Sequence, residues 1–366
     1  MIIYILGAFI LSMICGVLTT PVILDFCKKK NIYDIPNERK VHKNAVPRLG
    51  GISFMPGMLL ASLSVVLVHN HQFFNRQIEI SLWSVAFFIS LLIIYAIGII
   101  DDLIGLGAKT KFSAQIAAAV ILVMSGLYIN NLHGFLGIYE LPFYIGACLT
   151  VFTMVFISNA INLIDGIDGL SGCLSLVALG GFLYCFYNKG GMIAYCILIA
   201  SLMGVLAAFL YFNIWGKPEK NRKIFMGDSG SLTLGFILGF LFVKVSMYKT
   251  EDTSFSLHSV LLVYSLLIVP VFDVVRVSLI RLINHAPLFR ADKNHIHHKL
   301  MRTGMNQHQT LLTILSLDLA YIILNNILSQ WCDIWLIVII NIFVWITFHM
   351  IVNHFIVKTD SPQTLI

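Results

Sequence analysis

The stretch SNAINLIDGIDGLSG (158–172) sets Asn159, Asn162, Asp165 and Asp168 at three-residue intervals between two long apolar runs, about 142–161 and 170–187. Runs of that length, without the alternation of barrel strands, read as membrane-spanning helices of about 20 residues each. Polar groups where two such helices meet are costly and point to function. Along one continuous helix, steps of three would drift by about 60° each and leave Asn159 and Asp168 on opposite sides. Gly166 and Gly169 instead predict that the helix ends near Asp165 and that the chain turns back over its own end. That turn gathers the amides and carboxylates around one mouth.

The same reading extends to the rest of the chain. Of 366 residues, 58% are hydrophobic and only 11% charged, whereas a soluble domain carries about a quarter charged residues. Eleven apolar runs are found, at about 1–26, 49–69, 81–100, 112–129, 142–161, 170–187, 191–212, 230–247, 257–281, 309–328 and 334–356. The expected fold is therefore all-α and polytopic, one membrane domain over 1–366 with about eleven transmembrane helices. No basic residue precedes the first run and Lys28, Lys29 and Lys30 follow it, so it is a span with its N-terminus outside rather than a signal peptide. Alternating from there, 20 of the 24 Lys and Arg fall on the inner side and four (Arg76, Lys189, Lys244, Lys249) on the outer. The C-terminus is then cytoplasmic. A net charge of +6 concentrated in inner loops suits anionic headgroups or an anionic substrate. No nucleic-acid-binding motif occurs, so no nucleic-acid partner is expected. The seven cysteines form no CxxC pair and read as small buried apolar residues, neither disulfides nor a zinc site.

Polar residues are sorted by side. The expected cytoplasmic loops, about 27–48, 101–111, 159–169, 213–229 and 282–308, hold DIPNERKVHKNAVPRLGG (34–51), GIIDDLIGLGAKTK (98–111), the opening stretch, KNRKIFMGDSGSL (220–232) and PLFRADKNHIHHKL (287–300). Asp101 and Asp102 end an apolar run ahead of Lys109 and Lys111; adjacent carboxylates on a helix end point about 100° apart, so one can face a metal or phosphate while the other meets a lysine. A solvated helix end would also account for them. Amide oxygens and carboxylates together suit a hard cation such as Mg²⁺, held by a few protein groups plus substrate phosphates; helix caps and Asx turns are the plain alternative. In FMGDSGS (225–231), Asp228 or Ser229 can cap the following helix, and a helix N-terminus beside a carboxylate and glycines is also where Mg²⁺ and phosphate can meet. Phe225 can stack on a base or anchor at the membrane edge. His295, His297 and His298, beside Arg290 and Lys299, lack the HExxH spacing or a cysteine partner of a zinc site and suit phosphate or sugar binding. Asp273 and Arg276, at i and i+3, pair with each other.

These five segments, in this order, resemble the polyprenyl-phosphate N-acetylhexosamine-1-phosphate transferases, the family of MraY, WecA and TagO, from about residue 34 to 305. HIHH in place of three consecutive histidines makes the chain more similar to the WecA and TagO branch. The resemblance implies a transferase (EC 2.7.8.-) of the bacterial inner membrane, with its active site on the cytoplasmic face. It would move a sugar-1-phosphate, by default GlcNAc-1-phosphate, from a UDP-N-acetylhexosamine to undecaprenyl phosphate. The products are undecaprenyl-diphosphate-sugar and UMP, the first membrane step of a cell-surface polysaccharide such as O-antigen, teichoic acid or capsule. Mg²⁺ is the implied cofactor, with Mn²⁺ as a substitute, and membrane lipids and a homodimer are the implied partners. By the family's pattern, Asn162, Asp228 and Asp101 hold the metal, and Asp101 and Asp102 are catalytic. Asp165, Asp168 and Phe225 then lie with the nucleoside and Asn159 with the substrate. His42, Lys43, Lys109 and Lys111 lie near the phosphates, and Arg290, His295, His297 and His298 read the sugar and diphosphate.

Two other readings fit the composition. An MraY-type phospho-MurNAc-pentapeptide transferase shares the motifs but not the HIHH spelling. A secondary transporter would place its site near the bilayer midplane, whereas the acidic residues here fall at span ends on one side.

Overall fold

The computed structural model describes residues 1–34, 45–72, 78, 81–190, 192–248, 255–287 and 293–360. The first helix, α1 (Ile2–Lys30), closes on Lys28, Lys29 and Lys30 with Asn31 in the left-handed conformation at φ 55°, a residue type that tolerates it and a charge that suits the helix end. After it come α2 (Phe54–Gln72), entered through a short 3₁₀ turn at Gly50–Ser53, then α3 (Leu82–Ile104) and α4 (Ala108–Met124). A two-stranded antiparallel hairpin, β1 (Asn131–Phe135) with β2 (Ile138–Glu140), caps the α4–α5 connection. Then follow α5 (Phe143–Ile164), α6 (Leu170–Lys189), α7 (Ile193–Ile214), α8 (Gly227–Ser246), α9 (Leu257–Ser265), α10 (Ile268–Ile283), α11 (Ile296–Arg302), α12 (Gln307–Leu328) and α13 (Ile334–Asp360).

All eleven apolar runs are thus largely helical, but they are not eleven equal spans. Among the described residues nine helices are long and apolar enough to cross a membrane, ten if the α9–α10 pair, bent by 60°, is one span. The remaining run is α4, whose 17 residues cover about 25 Å and run from Lys111 beside Asp101 to the far end of the bundle, where Tyr128 packs edge-on against Phe143 at the start of α5.

The most enclosed helix is α8, 89% of whose apolar window is buried. An apolar cluster surrounds it, with Phe54 and Met58 of α2, Leu91 of α3, Ile161 of α5, Phe182 of α6 and Phe209 of α7. A second cluster behind α5 and α6 joins Ile164 and Leu170 to Ile268 of α10, Ile296 of α11, Ile314 of α12 and Trp345 of α13. The outer faces carry large exposed apolar side chains, among them Leu67 at 70%, Met124 at 77% and Ile283 at 75% exposure. Water does not tolerate so continuous an apolar surface, and lipid does. All seven cysteines are free.

Candidate active site

The ends of α3, α5 and α7, the α5–α6 turn, the starts of α8 and α12 and one turn of α11 meet at one end of the bundle around a cavity of about 350 Å³. Its lining includes Asp101, Asp102, Asn162, Asp165, Asp168, Phe225, Asp228 and His298. Eight of the residues singled out in the sequence therefore share one space, drawn from four separate segments.

The opening stretch behaves as its glycines require. α5 ends at Ile164 with Asp165 as its C-cap, and Gly169, at φ 77°, starts α6. Asn162 and Asp165 face the cavity from the helix end and Asp168 from the turn. Asn159 lies one turn deeper and outside the lining; its amide donates to Gln115 and to the Val155 carbonyl. Spacing alone could not separate Asn159 from Asn162, because the partner that holds it comes from α4.

The start of α8 is built by other elements. Neither Asp228 nor Ser229 caps it, contrary to the sequence expectation. Asp102, 3% exposed, does so from α3: its two carboxylate oxygens accept the backbone N–H groups of Asp228 at 2.8 Å and Ser229 at 3.0 Å. The carboxylate meets two of the orphan donors at the positive end of a buried helix. Gly227 at φ 72° makes this entry; a Cβ there would stand 2.1 Å from the Arg48 carbonyl oxygen, so no other residue fits.

With Asp102 so used, the reactive end of the cavity falls to Asp101, Asp228 and Asn162. The Lys111 ammonium donates to Asp101 at 3.2 Å and to Asp228 at 2.6 Å. Asp101 also accepts the Leu106 N–H at 2.6 Å, and Asn162 donates to Ser231 at 2.8 Å while lying beside Asp228. The donor set is two carboxylates and an amide oxygen, hard ligands for a hard divalent cation. Lys111 shows that positive charge is accommodated between the two carboxylates. No cluster of three His, Cys, Asp or Glu able to hold a metal occurs among the described residues, so a cation held here by Asp101 and Asp228 would need its remaining ligands from Asn162, water and substrate oxygens. The residues present fit that group.

The opposite wall is held by groups the sequence reading passed over. Lys223 donates to Asp168 at 2.7 Å and to the Asn213 carbonyl. Asn213, the last polar residue of α7, accepts the Gly169 N–H at 2.7 Å and donates to the Ile224 carbonyl at 2.8 Å. Arg48, Asp34, Ser231 and Gln307 complete the lining. A buried asparagine near the end of an apolar run was a legible signal for Asn213; nothing in the sequence paired Lys223 with Asp168. Asp165 accepts the Ser171 hydroxyl at 3.0 Å. Burial, reinforced by the nearby charges of Asp228, Asp168 and Asp102 and opposed by that hydrogen bond, raises its carboxyl to about 7.

The three histidines separate. His298 lines the cavity. His295 bonds Asp273 at 2.8 Å, and Asp273 also accepts from Arg276 at 2.8 Å and from the Ile296 N–H at 3.0 Å. The expected Asp273–Arg276 pair is therefore present, and it pins the start of α11. His297 lies against Gly166, where a Cβ would stand 2.1 Å from Nε2. Burial and the other histidines push His297 down to about 3 and His298 to about 4. Both are neutral imidazoles at neutral pH, hydrogen-bonding groups rather than cationic anchors. Lys109 is exposed on α4 and outside the lining, and His42, Lys43 and Arg290 lie outside the described residues.

Comparison with known proteins identifies the chain's relatives. Residues 82–246, from α3 through α8, match the model of glycosyl transferase family 4. The chain is 32% identical over 353 residues to a probable undecaprenyl-phosphate N-acetylglucosaminyl 1-phosphate transferase of Bacillus subtilis (strain 168), covering 93% of this chain and 90% of that protein. It is 32% identical over 297 residues to a decaprenyl-phosphate N-acetylglucosaminephosphotransferase of Mycobacterium leprae (76% of this chain, 72% of that one). To the undecaprenyl-phosphate alpha-N-acetylglucosaminyl 1-phosphate transferase of Escherichia coli (strain K12) it is 28% identical over 294 residues (78% and 74%). A match of 32% identity that spans nearly the whole chain settles its kinship: the chain belongs to glycosyl transferase family 4, among the polyprenyl-phosphate N-acetylhexosamine-1-phosphate transferases.

Proposed function

We propose that the protein transfers GlcNAc-1-phosphate from UDP-GlcNAc to undecaprenyl phosphate, releasing UMP, with Mg²⁺ as cofactor, at the cytoplasmic face of a bacterial inner membrane. The observation that carries this reading is the convergence of Asp101, Asp228, Asn162 and Lys111 at one end of a cavity whose other end holds Asp165, Asp168 and Phe225. The names of the relatives support the sugar and the class of lipid, and the excess of Lys and Arg in the loops around the cavity supports its cytoplasmic side.

In this reading an oxygen of the lipid phosphate attacks the sugar-bearing phosphorus in line, a new P–O bond forms, and the bond to the UMP oxygen breaks. A phosphate monoester is already mostly dianionic at neutral pH, its second pKa being near 6, so no strong base is required. Mg²⁺, when bound to Asp101, Asp228 and Asn162, supplies charge neutralisation for the phosphates. Lys111 adds a second positive group at the same edge. Asp102 acts by fixing the start of α8, which sets the position of Asp228. Phe225 stacks on the base, and Asp165 and Asp168 hold the nucleoside. His298 reaches the sugar and diphosphate as a neutral donor.

The test is UMP release by the purified protein in detergent with undecaprenyl phosphate, comparing UDP-GlcNAc, UDP-GalNAc and UDP-MurNAc-pentapeptide, each with and without EDTA. Lipid-dependent, EDTA-sensitive UMP from UDP-GlcNAc is expected; UMP from the pentapeptide donor alone would replace the sugar assignment.

A further inference from the structure

The last helices hold an unusual concentration of unmatched polar groups. Both carboxyl oxygens of Asp318, the Trp345 indole N–H and the Asn325 amide oxygen are buried without a hydrogen-bond partner, and the buried Tyr264 hydroxyl and Asn341 amide find no side-chain partner beyond each other. Asp318 and Asn341 are 0% exposed, Tyr321 1% and Trp345 5%. Each orphaned group inside a membrane is costly, so a dry seam of this composition is hard to sustain.

These groups come to common depths. His258 of α9 bonds Ser329 at the end of α12 at 3.1 Å, which levels these two helices at that end, and α13 starts five residues later, at Ile334. At 1.5 Å per residue, Tyr264, Tyr321 and Asn341 lie about 9–12 Å along their helices from that end, and Asp318 and Trp345 about 16–17 Å. Contacts agree: the Tyr321 hydroxyl donates to the Asn341 carbonyl at 3.3 Å, Tyr264 lies beside the Asn341 side chain, and Asn325 donates to Ser265 at 2.8 Å. At this depth the α9–α10 helix breaks, between Ser265 and Ile268, with its 60° bend. Irregular backbone at membrane depth is tolerated where it is buried in protein or lines a polar cavity.

We propose that the α9–α10 break and the facing surfaces of α12 and α13 enclose a membrane-embedded polar pocket that binds a cluster of water molecules, with Asp318 and Trp345 at its deep end. Water is the ligand because the orphaned groups mix acceptors (Asp318, the Asn325 oxygen) with a donor (the Trp345 N–H). Only a molecule that both donates and accepts serves them all. A bare cation would leave the indole N–H unmatched. The pocket runs from the middle of the bundle toward the end opposite the catalytic cavity, outside the segment 82–246, and does not depend on the proposed reaction.

Synchrotron hydroxyl-radical footprinting of the full chain in lipid nanodiscs, in H₂¹⁸O, tests it. Radicals formed from internal water should oxidise Trp345 and Tyr321 at rates within tenfold of Trp331, which is 82% exposed, and an Asp318→Leu/Asn341→Leu variant should lower that labelling at least tenfold. In thermal unfolding, Asp318→Asn should leave Tm unchanged and Asp318→Leu should lower it. Background labelling of Trp345 and Tyr321 in the wild type, or a rise in Tm for Asp318→Leu, would mean a dry seam and overturn the proposal. A fall in wild-type Tm when choline replaces Na⁺ and K⁺ would overturn it in favour of a cation.

Discussion

The Asp102 carboxylate accepts the backbone N–H of Asp228 at 2.8 Å, joining the end of α3 to the start of α8 across 126 positions of sequence. Two adjacent aspartates thus divide their work. Asp101 shares Lys111 with Asp228, while Asp102 holds the backbone that carries Asp228.

That division predicts different outcomes at the two positions. Asp102→Ala removes both acceptors of a buried helix start and should lower thermal stability, by about 1–3 kcal/mol for each N–H left unmatched, together with activity. Asp101→Asn should keep the wild-type Tm and lose at least 100-fold in turnover. Thermal unfolding in detergent beside UMP release separates the two, and equal losses of Tm at both positions would contradict the division.

Lys111 lies between Asp101 and Asp228, a positive group at the edge of the proposed transfer. Lys111→Met should cost about 100–1,000-fold in kcat, the scale seen when one preorganised electrostatic donor is removed. Lys111→Arg should recover part of it. Steady-state kinetics checks this; a change in KM alone would assign Lys111 to binding.

The carboxyl of Asp165, raised to about 7 by burial, gives a pH signature. If the ionised form is the one that serves the substrate, kcat/KM rises through pH 7 in the wild type, and Asp165→Asn flattens that limb. Stability runs the other way. The fold favours the protonated form, so the contribution is full below the ordinary carboxylate range near 3.8 and is lost as pH rises through about 7. Asp165→Asn should therefore gain in Tm relative to wild type at pH 8 and not at pH 4.

Gly166 leaves room for His297, whose Nε2 would stand 2.1 Å from a Cβ at that position. Gly166→Ala should displace α11, and His298 with it, and reduce activity at least tenfold. His297→Ala in the same chain should restore part of the loss by removing the clash. A double variant no better than Gly166→Ala would show that the constraint at 166 is the turn itself.

Much of this was legible in the sequence, and the rest failed for identifiable reasons. The apolar runs gave the helices because burial in lipid imposes length and composition directly. Gly166 and Gly169 gave the turn that brings Asn162, Asp165 and Asp168 to one cavity. The segments 101–102, 159–168 and 225–228 met as their shared side of the membrane required. Contacts set by partners distant in the chain were not legible: Gln115 turning Asn159 away, Asp102 capping α8 where Asp228 or Ser229 was expected, and Lys223 reaching Asp168. The bend after Ser265 did have a signal in the sequence: Pro270 has no N–H to bond the Leu266 carbonyl and its ring crowds that carbonyl, so the run breaks about one turn before it.

The most direct measurement follows phosphorus. UDP-GlcNAc labelled with ³²P at the β-phosphate is incubated with the purified protein, undecaprenyl phosphate and Mg²⁺, and the lipid and aqueous phases are counted. Transfer of sugar-1-phosphate predicts the β-label in the lipid phase in step with unlabelled UMP in the aqueous phase, and neither when EDTA is present. Label retained in UDP beside a glycosylated lipid would mean that the sugar alone moves, and would contradict the account.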